Sequence, residues 1–282
     1  MGIKKLGIAA VALATLMATP AAAATTGYTF AGVADWDHDG HQDIVAHNAA
    51  GDLLLYPGQS VRGYSGITPV RIGNGWNGFT VAGIADWDRD GHADVLARND
   101  VTSDLWLYPG ESKRAYSAQD RVKIGNGWAG FTFAGVADWD GDGSQDIVAR
   151  SAAGDLLLYP GQSIRGYSGV APVQIGNGWN GFTMAGIADW DRDGHPDILA
   201  RNDATSDLWL YPGESKRAYS AQQRVKIGNG WGGFTFAGLA DWDHDGSPDL
   251  VARAPSGDLL LYPGQSIRGY SGVAPVKIGN GW

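Results

Sequence analysis

The chain has 282 residues, no cysteine, and 30 acidic against 21 basic side chains, for a formal net charge of −9. So acidic a chain has no general basic field with which to hold nucleic acid. Lacking cysteine, it also has neither disulfide staples nor thiolate metal ligands, while its length suffices for one sizeable domain.

Residues 1–24 read as a secretory signal peptide: Lys4 and Lys5, an apolar run from Leu6 to Met17, then Pro20 and the small residues Ala21 to Ala24. The apolar run falls short of the roughly 20 residues that span a bilayer, and no later stretch approaches that length, so a secreted protein without a membrane span is expected. Removal of this segment leaves a net charge of about −11.

From residue 25 to 282 the chain is a tandem array. The pattern D-W-D-x-D-G-x-x-D starts at Asp35, Asp86, Asp138, Asp189 and Asp241, at intervals of 51, 52, 51 and 52 residues. The repeats run 27–77, 78–129, 130–180, 181–232 and 233–282. They alternate in kind: odd repeats carry Leu-Leu-Leu-Tyr-Pro-Gly-Gln-Ser and even ones Leu-Trp-Leu-Tyr-Pro-Gly-Glu-Ser.

Within a repeat the signals are those of strands. In the third copy an apolar run from Phe131 enters the Asp loop. Asp146–Arg150 leaves it as a short strand, Leu156–Tyr159 stops at Pro160-Gly161, and Val173–Ile175 precedes Gly176. Glu111–Gln119 has some helical propensity but no apolar stripe, and is read as loop. Four short strands per unit of about 51 residues, five times over, predict an all-β fold: a β-propeller of five four-stranded blades. An open solenoid, or part of a larger ring completed by a second chain, is the alternative.

The loops predict five bound calcium ions, one per blade. Alternating Asp at positions 1, 3 and 5 supplies hard oxygen ligands, and Gly at position 6 allows the sharp turn. The ligand sets are Asp35, Asp37, Asp39, His41 and Asp43; Asp86, Asp88, Asp90, His92 and Asp94; Asp138, Asp140, Asp142, Ser144 and Asp146; Asp189, Asp191, Asp193, His195 and Asp197; and Asp241, Asp243, Asp245, Ser247 and Asp249. The seventh position is His in three loops and Ser in two, which fits a backbone carbonyl ligand and not an imidazole. The twelfth is always Ala (Ala46, Ala97, Ala149, Ala200, Ala252), so this is not an EF-hand, and the carboxylate at position 9 is expected to take over the work of the missing Glu. Clustered carboxylates without a soft ligand disfavour zinc and copper.

The loop, entered from Phe-Ala-Gly-Val-Ala-Asp-Trp-Asp and left through Asp-Ile-Val-Ala-Arg, resembles the FG-GAP/VCBS-type repeats of integrin α-subunit propellers and propeller lectins. The resemblance implies propeller blades with Ca²⁺ between the first two strands of each. It implies no single function, since the family serves adhesion, glycan binding and scaffolding alike.

Other motifs carry less. Gly73-Asn74-Gly75-Trp76-Asn77-Gly78 fits a dinucleotide fingerprint, but a strand follows where a helix is required. Gly63-Tyr64-Ser65-Gly66 is not a nucleophile elbow, and His47 is Arg in the other four copies, so no catalytic set recurs and an enzyme is not expected. Few carboxylates are left over for glycosidase chemistry. The tryptophans ending the Gly-Asn-Gly-Trp turns, namely Trp76, Trp128, Trp179, Trp231 and Trp282, are expected to be partly exposed and to stack on a sugar. The reading from sequence is a secreted, calcium-binding, non-catalytic binding module, lectin-like towards glycans. The alternative is a scaffold for cell-surface or extracellular proteins.

Overall fold

In the computed structural model, which describes residues 27–63, 66, 68–113, 120–166, 169–216, 223–269 and 272–282, twenty strands form five sheets. The proposed signal peptide and most of the 111–119 segment lie outside the described residues; Glu111–Lys113 are not helical. Blade 1 contains β1 (Thr29–Ala34), β2 (Asp43–His47), β3 (Leu53–Tyr56) and β4 (Val70–Gly73). Blade 2 contains β5 (Phe79–Ala85), β6 (Asp94–Asn99), β7 (Leu105–Tyr108) and β8 (Val122–Gly125). Blade 3 contains β9 (Thr132–Ala137), β10 (Asp146–Arg150), β11 (Leu156–Tyr159) and β12 (Val173–Gly176). Blade 4 contains β13 (Phe182–Ala188), β14 (Asp197–Asn202), β15 (Asp207–Tyr211) and β16 (Val225–Gly228). Blade 5 contains β17 (Thr235–Ala240), β18 (Asp249–Arg253), β19 (Leu259–Tyr262) and β20 (Val276–Gly279). Every sheet is an antiparallel meander in chain order.

Burial explains the composition of each strand. The second strand of a blade is covered on both faces, so it is apolar throughout: Ile44, Val45 and Ala46 are all buried. The third strand alternates, with Leu53 and Leu55 buried and Leu54 half-buried. These side chains meet the facing strand of the next blade: Val45, Leu53 and Leu55 share one core with Val95 and Ala97 of blade 2. Four such cores join blades 1 to 5 in sequence. A fifth unites Ile44 of blade 1 with Val251, Leu259, Leu261 and Ile278 of blade 5 and closes the ring. Polar contacts cross the same joint: Trp242 Nε1 donates to the Val61 carbonyl at 3.2 Å and Arg253 Nη1 to that of Tyr28 at 3.3 Å. The chain is therefore a closed five-bladed propeller, and the open solenoid falls away. Among the described residues no helix is long and apolar enough to cross a membrane.

Candidate functional site

Each Asp loop joins the first and second strands of its blade and folds around its own carboxylates. In blade 1, Asp35 Oδ2 accepts from Gly40 N (3.1 Å), Asp37 Oδ1 from Asp39 N (3.2 Å) and Asp39 Oδ1 from His41 N (2.9 Å). Two residues turn the chain through left-handed conformations, His38 (φ 57°) and Gly40 (φ 90°). The turn gathers carboxylate oxygens within 4.8 Å of one another: positions 1, 3 and 5 in blades 1, 2 and 5, and positions 1, 3 and 9 in blades 3 and 4.

These residues fit a hard cation. In all five loops the first Asp (Asp35, Asp86, Asp138, Asp189, Asp241) keeps Oδ1 buried with no hydrogen-bond partner. A buried, unpartnered carboxylate oxygen beside two other carboxylates is costly unless a cation satisfies it. The side chain at position 7 is engaged elsewhere. In the three His loops, Nδ1 of His41, His92 and His195 lies 2.7, 2.6 and 2.8 Å from the hydroxyls of Ser60, Ser112 and Ser215, which turns that ring nitrogen towards the turn after the third strand.

Position 9 has a second duty that its sequence spacing did not reveal. Asp43 is fully buried; Oδ2 accepts from Trp36 N (2.9 Å) and Oδ1 from Gly58 N (2.7 Å), in the Pro-Gly turn after β3. Asp94, Asp146, Asp197 and Asp249 make the same pair of bonds. The residue latches the Asp loop to the turn after the third strand. Burial pushes each of these five carboxyls up to about 6, against the opposing pull of the backbone donors.

The structure also brings in arginines that the sequence reading did not single out. Arg62 pairs with Asp243 and, at 2.8 Å, with Asp245 of blade 5. Arg165 pairs with Asp88 and, at 2.5 Å, with Asp90 of blade 2; Arg268 pairs with Asp191 and Asp193 of blade 4. Each odd blade thus sends a guanidinium back to the Asp loop of the preceding blade, offsetting part of the carboxylate repulsion there. The recurrence of Arg in Gln-Ser-x-Arg-Gly-Tyr was the available signal.

The Gly-Asn-Gly-Trp turns differ from expectation. Trp76, Trp128, Trp179 and Trp231 are buried and Trp282 is half-buried. Each indole is drawn inward between aromatic side chains of the following blade: Trp76 lies 5.9 Å from Phe79 and 4.7 Å from Tyr108. The first Gly of the turn provides the seat, since a Cβ at Gly73 would lie 2.9 Å from Trp76 Nε1. That explains the glycine pattern without a nucleotide. The ring edges nonetheless line cavities between blades. At the joint of blades 4 and 5 a cavity of about 130 Å³ is walled by Trp190, Trp231, Asn229, Tyr262 and Pro275. Counterparts occur at the joints of blades 2 and 3 (about 100 Å³), 3 and 4 (about 200 Å³), and 5 and 1 (about 100 Å³).

Comparison with known proteins finds the same kind of repeat elsewhere. A family profile described as an FG-GAP-like repeat matches residues 35–97, 86–149, 138–200 and 189–252. Human integrin alpha-6 is 24% identical over 233 residues, covering 75% of this chain and 20% of the integrin. Integrin alpha-6 of Gallus gallus is 27% identical over 145 residues, covering 45% of this chain and 13% of the relative. Human integrin alpha-7 is 25% identical over 170 residues, covering 53% and 14%. The chain thus spans a fifth or less of the length of these relatives. Among solved structures, an Agrocybe aegerita lectin described as recognising non-reducing terminal N-acetylglucosamine aligns with a TM-score of 0.49 at 14% identity, covering 91% of this chain and 81% of that one.

Proposed function

Because the chain belongs to the FG-GAP-like repeat family, we propose that it is an extracellular, calcium-loaded, non-catalytic binding module that recognises glycans in the cavities between its blades. The observation that carries this reading is the recurrence of one cavity design around the ring. Two Trp edges and a Tyr provide apolar walls for the face of a sugar, and the exposed Asn and Gly of the Gly-Asn-Gly turn offer amide and backbone groups for its hydroxyls. Several weak sites on one rigid ring gain avidity on a multivalent surface. Secretion rests on the pattern of residues 1–24.

The carboxylates at positions 1, 3, 5 and 9 and the backbone at position 7 would hold the calcium. The ion supplies positive charge where five acidic loops would otherwise repel, and rigidity where a cysteine-free secreted chain has no staple. A second reading, a scaffold for extracellular proteins, is favoured by Val61, Ile164 and Ile267, which stand 43, 44 and 40% exposed at equivalent positions of the three odd blades. A glycan array probed in calcium and again in EDTA separates the two. Calcium-dependent binding to a defined glycan class is expected, and silence across the array in calcium leaves the protein scaffold standing.

A further inference from the structure

The cavities are not all alike, and their difference follows the alternation of the repeats. Where odd blades read Pro-Val before the last strand (Pro69, Pro172, Pro275), even blades read Arg-Val, with Arg121 and Arg224. The cavities at joints 2/3 and 4/5 are accordingly walled by Val170 and Pro172, and by Val273 and Pro275. The cavity at joint 3/4 is walled by Arg224 instead, beside Trp139, Trp179, Asn177 and Tyr211.

Arg224 is held in place without being neutralised. Its guanidinium carbon lies 4.3 Å from the Trp209 ring centre, and Nη1 donates to Tyr211 Oη at 3.0 Å. Among the described residues it has no carboxylate partner; the Asp207 carboxylate of the same sheet pairs with Lys226. Arg121 repeats the arrangement in blade 2, 4.3 Å from Trp106 and 3.0 Å from Tyr108 Oη. Stacking fixes the plane of the guanidinium, and one bond of five possible donors fixes its rotation. The remaining fork is a ready partner for a planar, two-oxygen anion, and an exposed arginine on such a platform gives up little side-chain freedom on binding.

From this we infer that the even blades carry a second class of site, selective for a sugar bearing a carboxylate, a uronic acid being the simplest case. The inference rests on the reading that the inter-blade cavities bind glycans, and adds a division of labour: arginine-free cavities take neutral sugars, while the cavity walled by Arg224, and the equivalent stacked Arg121 of blade 2, take acidic ones. A cavity of about 200 Å³ accommodates one six-membered ring, since cavities of about 150 Å³ take up benzene. The tryptophan edges would face the ring carbons while the guanidinium takes the carboxylate. An acidic ligand approaching a chain of net charge −9 is otherwise repelled, so this affinity is expected to be greatest with the Asp loops loaded with cation.

The test is calorimetric titration of the full calcium-loaded chain with two oligosaccharides that differ only in a terminal glucuronate or glucose. The wild type is expected to prefer the acidic one by about 10-fold or more. The double variant Arg121→Gln/Arg224→Gln is expected to lose that preference while its affinity for the neutral oligosaccharide stays unchanged. Arg121→Lys/Arg224→Lys, which keeps charge but not the fork, is expected to fall between. Equal wild-type affinity for the two ligands, or a preference that survives both Gln substitutions, overturns the inference and leaves glycan binding intact. Binding of neither removes the glycan reading and this inference with it. The substituted side chains are exposed, and unchanged melting of the variants confirms that the ring is intact.

Discussion

Gly161→Ala isolates the joint between the Asp loop and the turn that follows the third strand. A Cβ at Gly161 would lie 1.8 Å from the Gln145 carbonyl oxygen, and 3.3 Å from the Trp87 ring of the neighbouring blade. The closer atom is backbone and cannot swing aside, so the Pro-Gly turn must withdraw by more than 1 Å. Withdrawal breaks the 2.8 Å bond from Gly161 N to Asp146 Oδ1, worth about 1.5–3 kcal/mol for a charged acceptor. It also strains the Trp87 Nε1 bond to the Ile164 carbonyl (3.1 Å), a neutral bond worth about 0.5–1.5 kcal/mol. The sum is about 2–4.5 kcal/mol, a fall in Tm of about 10 °C for a domain of this size. Gly166→Ala is the control: it lies in the same connection and a Cβ there meets nothing within 4 Å, so its effect should stay within about 0.5 kcal/mol. Both variants should be melted by calorimetry in EDTA, where no metal can compensate. If Gly161→Ala melts with the Gly166→Ala control, the latch is not a significant source of stability and the reasoning fails.

Two further outcomes follow from the loops. The carboxyls of Asp43, Asp94, Asp146, Asp197 and Asp249 sit near 6 in the folded protein against an ordinary 3.8. The native state therefore holds their protons longer than the unfolded chain, and the stability this contributes is complete below about 3.8 and lost as pH rises through about 6. In EDTA the Tm should fall between pH 4.5 and 7. Calcium at about 1 mM over a Kd of about 0.1 mM, which adds about 1.4 kcal/mol per site and favours the ionised form, should flatten or reverse that fall. A Tm that climbs with pH in EDTA, or that ignores calcium, contradicts the account. His92→Ala should leave calcium affinity within about twofold, because its imidazole Nδ1 is bonded to Ser112 and two other loops carry Ser at that position, as a backbone carbonyl ligand allows; a loss of tenfold or more by calcium titration would make the imidazole a ligand.

Much of this molecule is legible in its residues because most of it is local. The Asp loop, the doubly buried second strand and the alternating third strand are each set by a handful of neighbouring side chains, and five copies average away the ambiguity of one. What escaped was long-range. Nothing between Asp43 and Gly58 announces that a carboxylate will bond a backbone amide 15 residues on. Arg62 finds Asp243 and Asp245 only because the ring brings blade 1 beside blade 5. The Trp of the Gly-Asn-Gly turn was expected to be partly exposed because its neighbours are polar. Its burial depends on a Phe and a Tyr of the next blade, and on a glycine whose missing Cβ leaves room for the indole.

The way the ring closes has a consequence for how such a chain can vary. Each sheet is cut from one continuous segment, so no blade is clasped by strands from opposite ends of the chain. The joint between blades 5 and 1 uses the same chemistry as the others: Trp282 lies 4.3 Å from Tyr56 as Trp179 lies 4.3 Å from Tyr211. A ring whose joints all share this aromatic seat can in principle be opened at a different handover turn, and a circular permutant cut there is expected to keep the five side-chain cores.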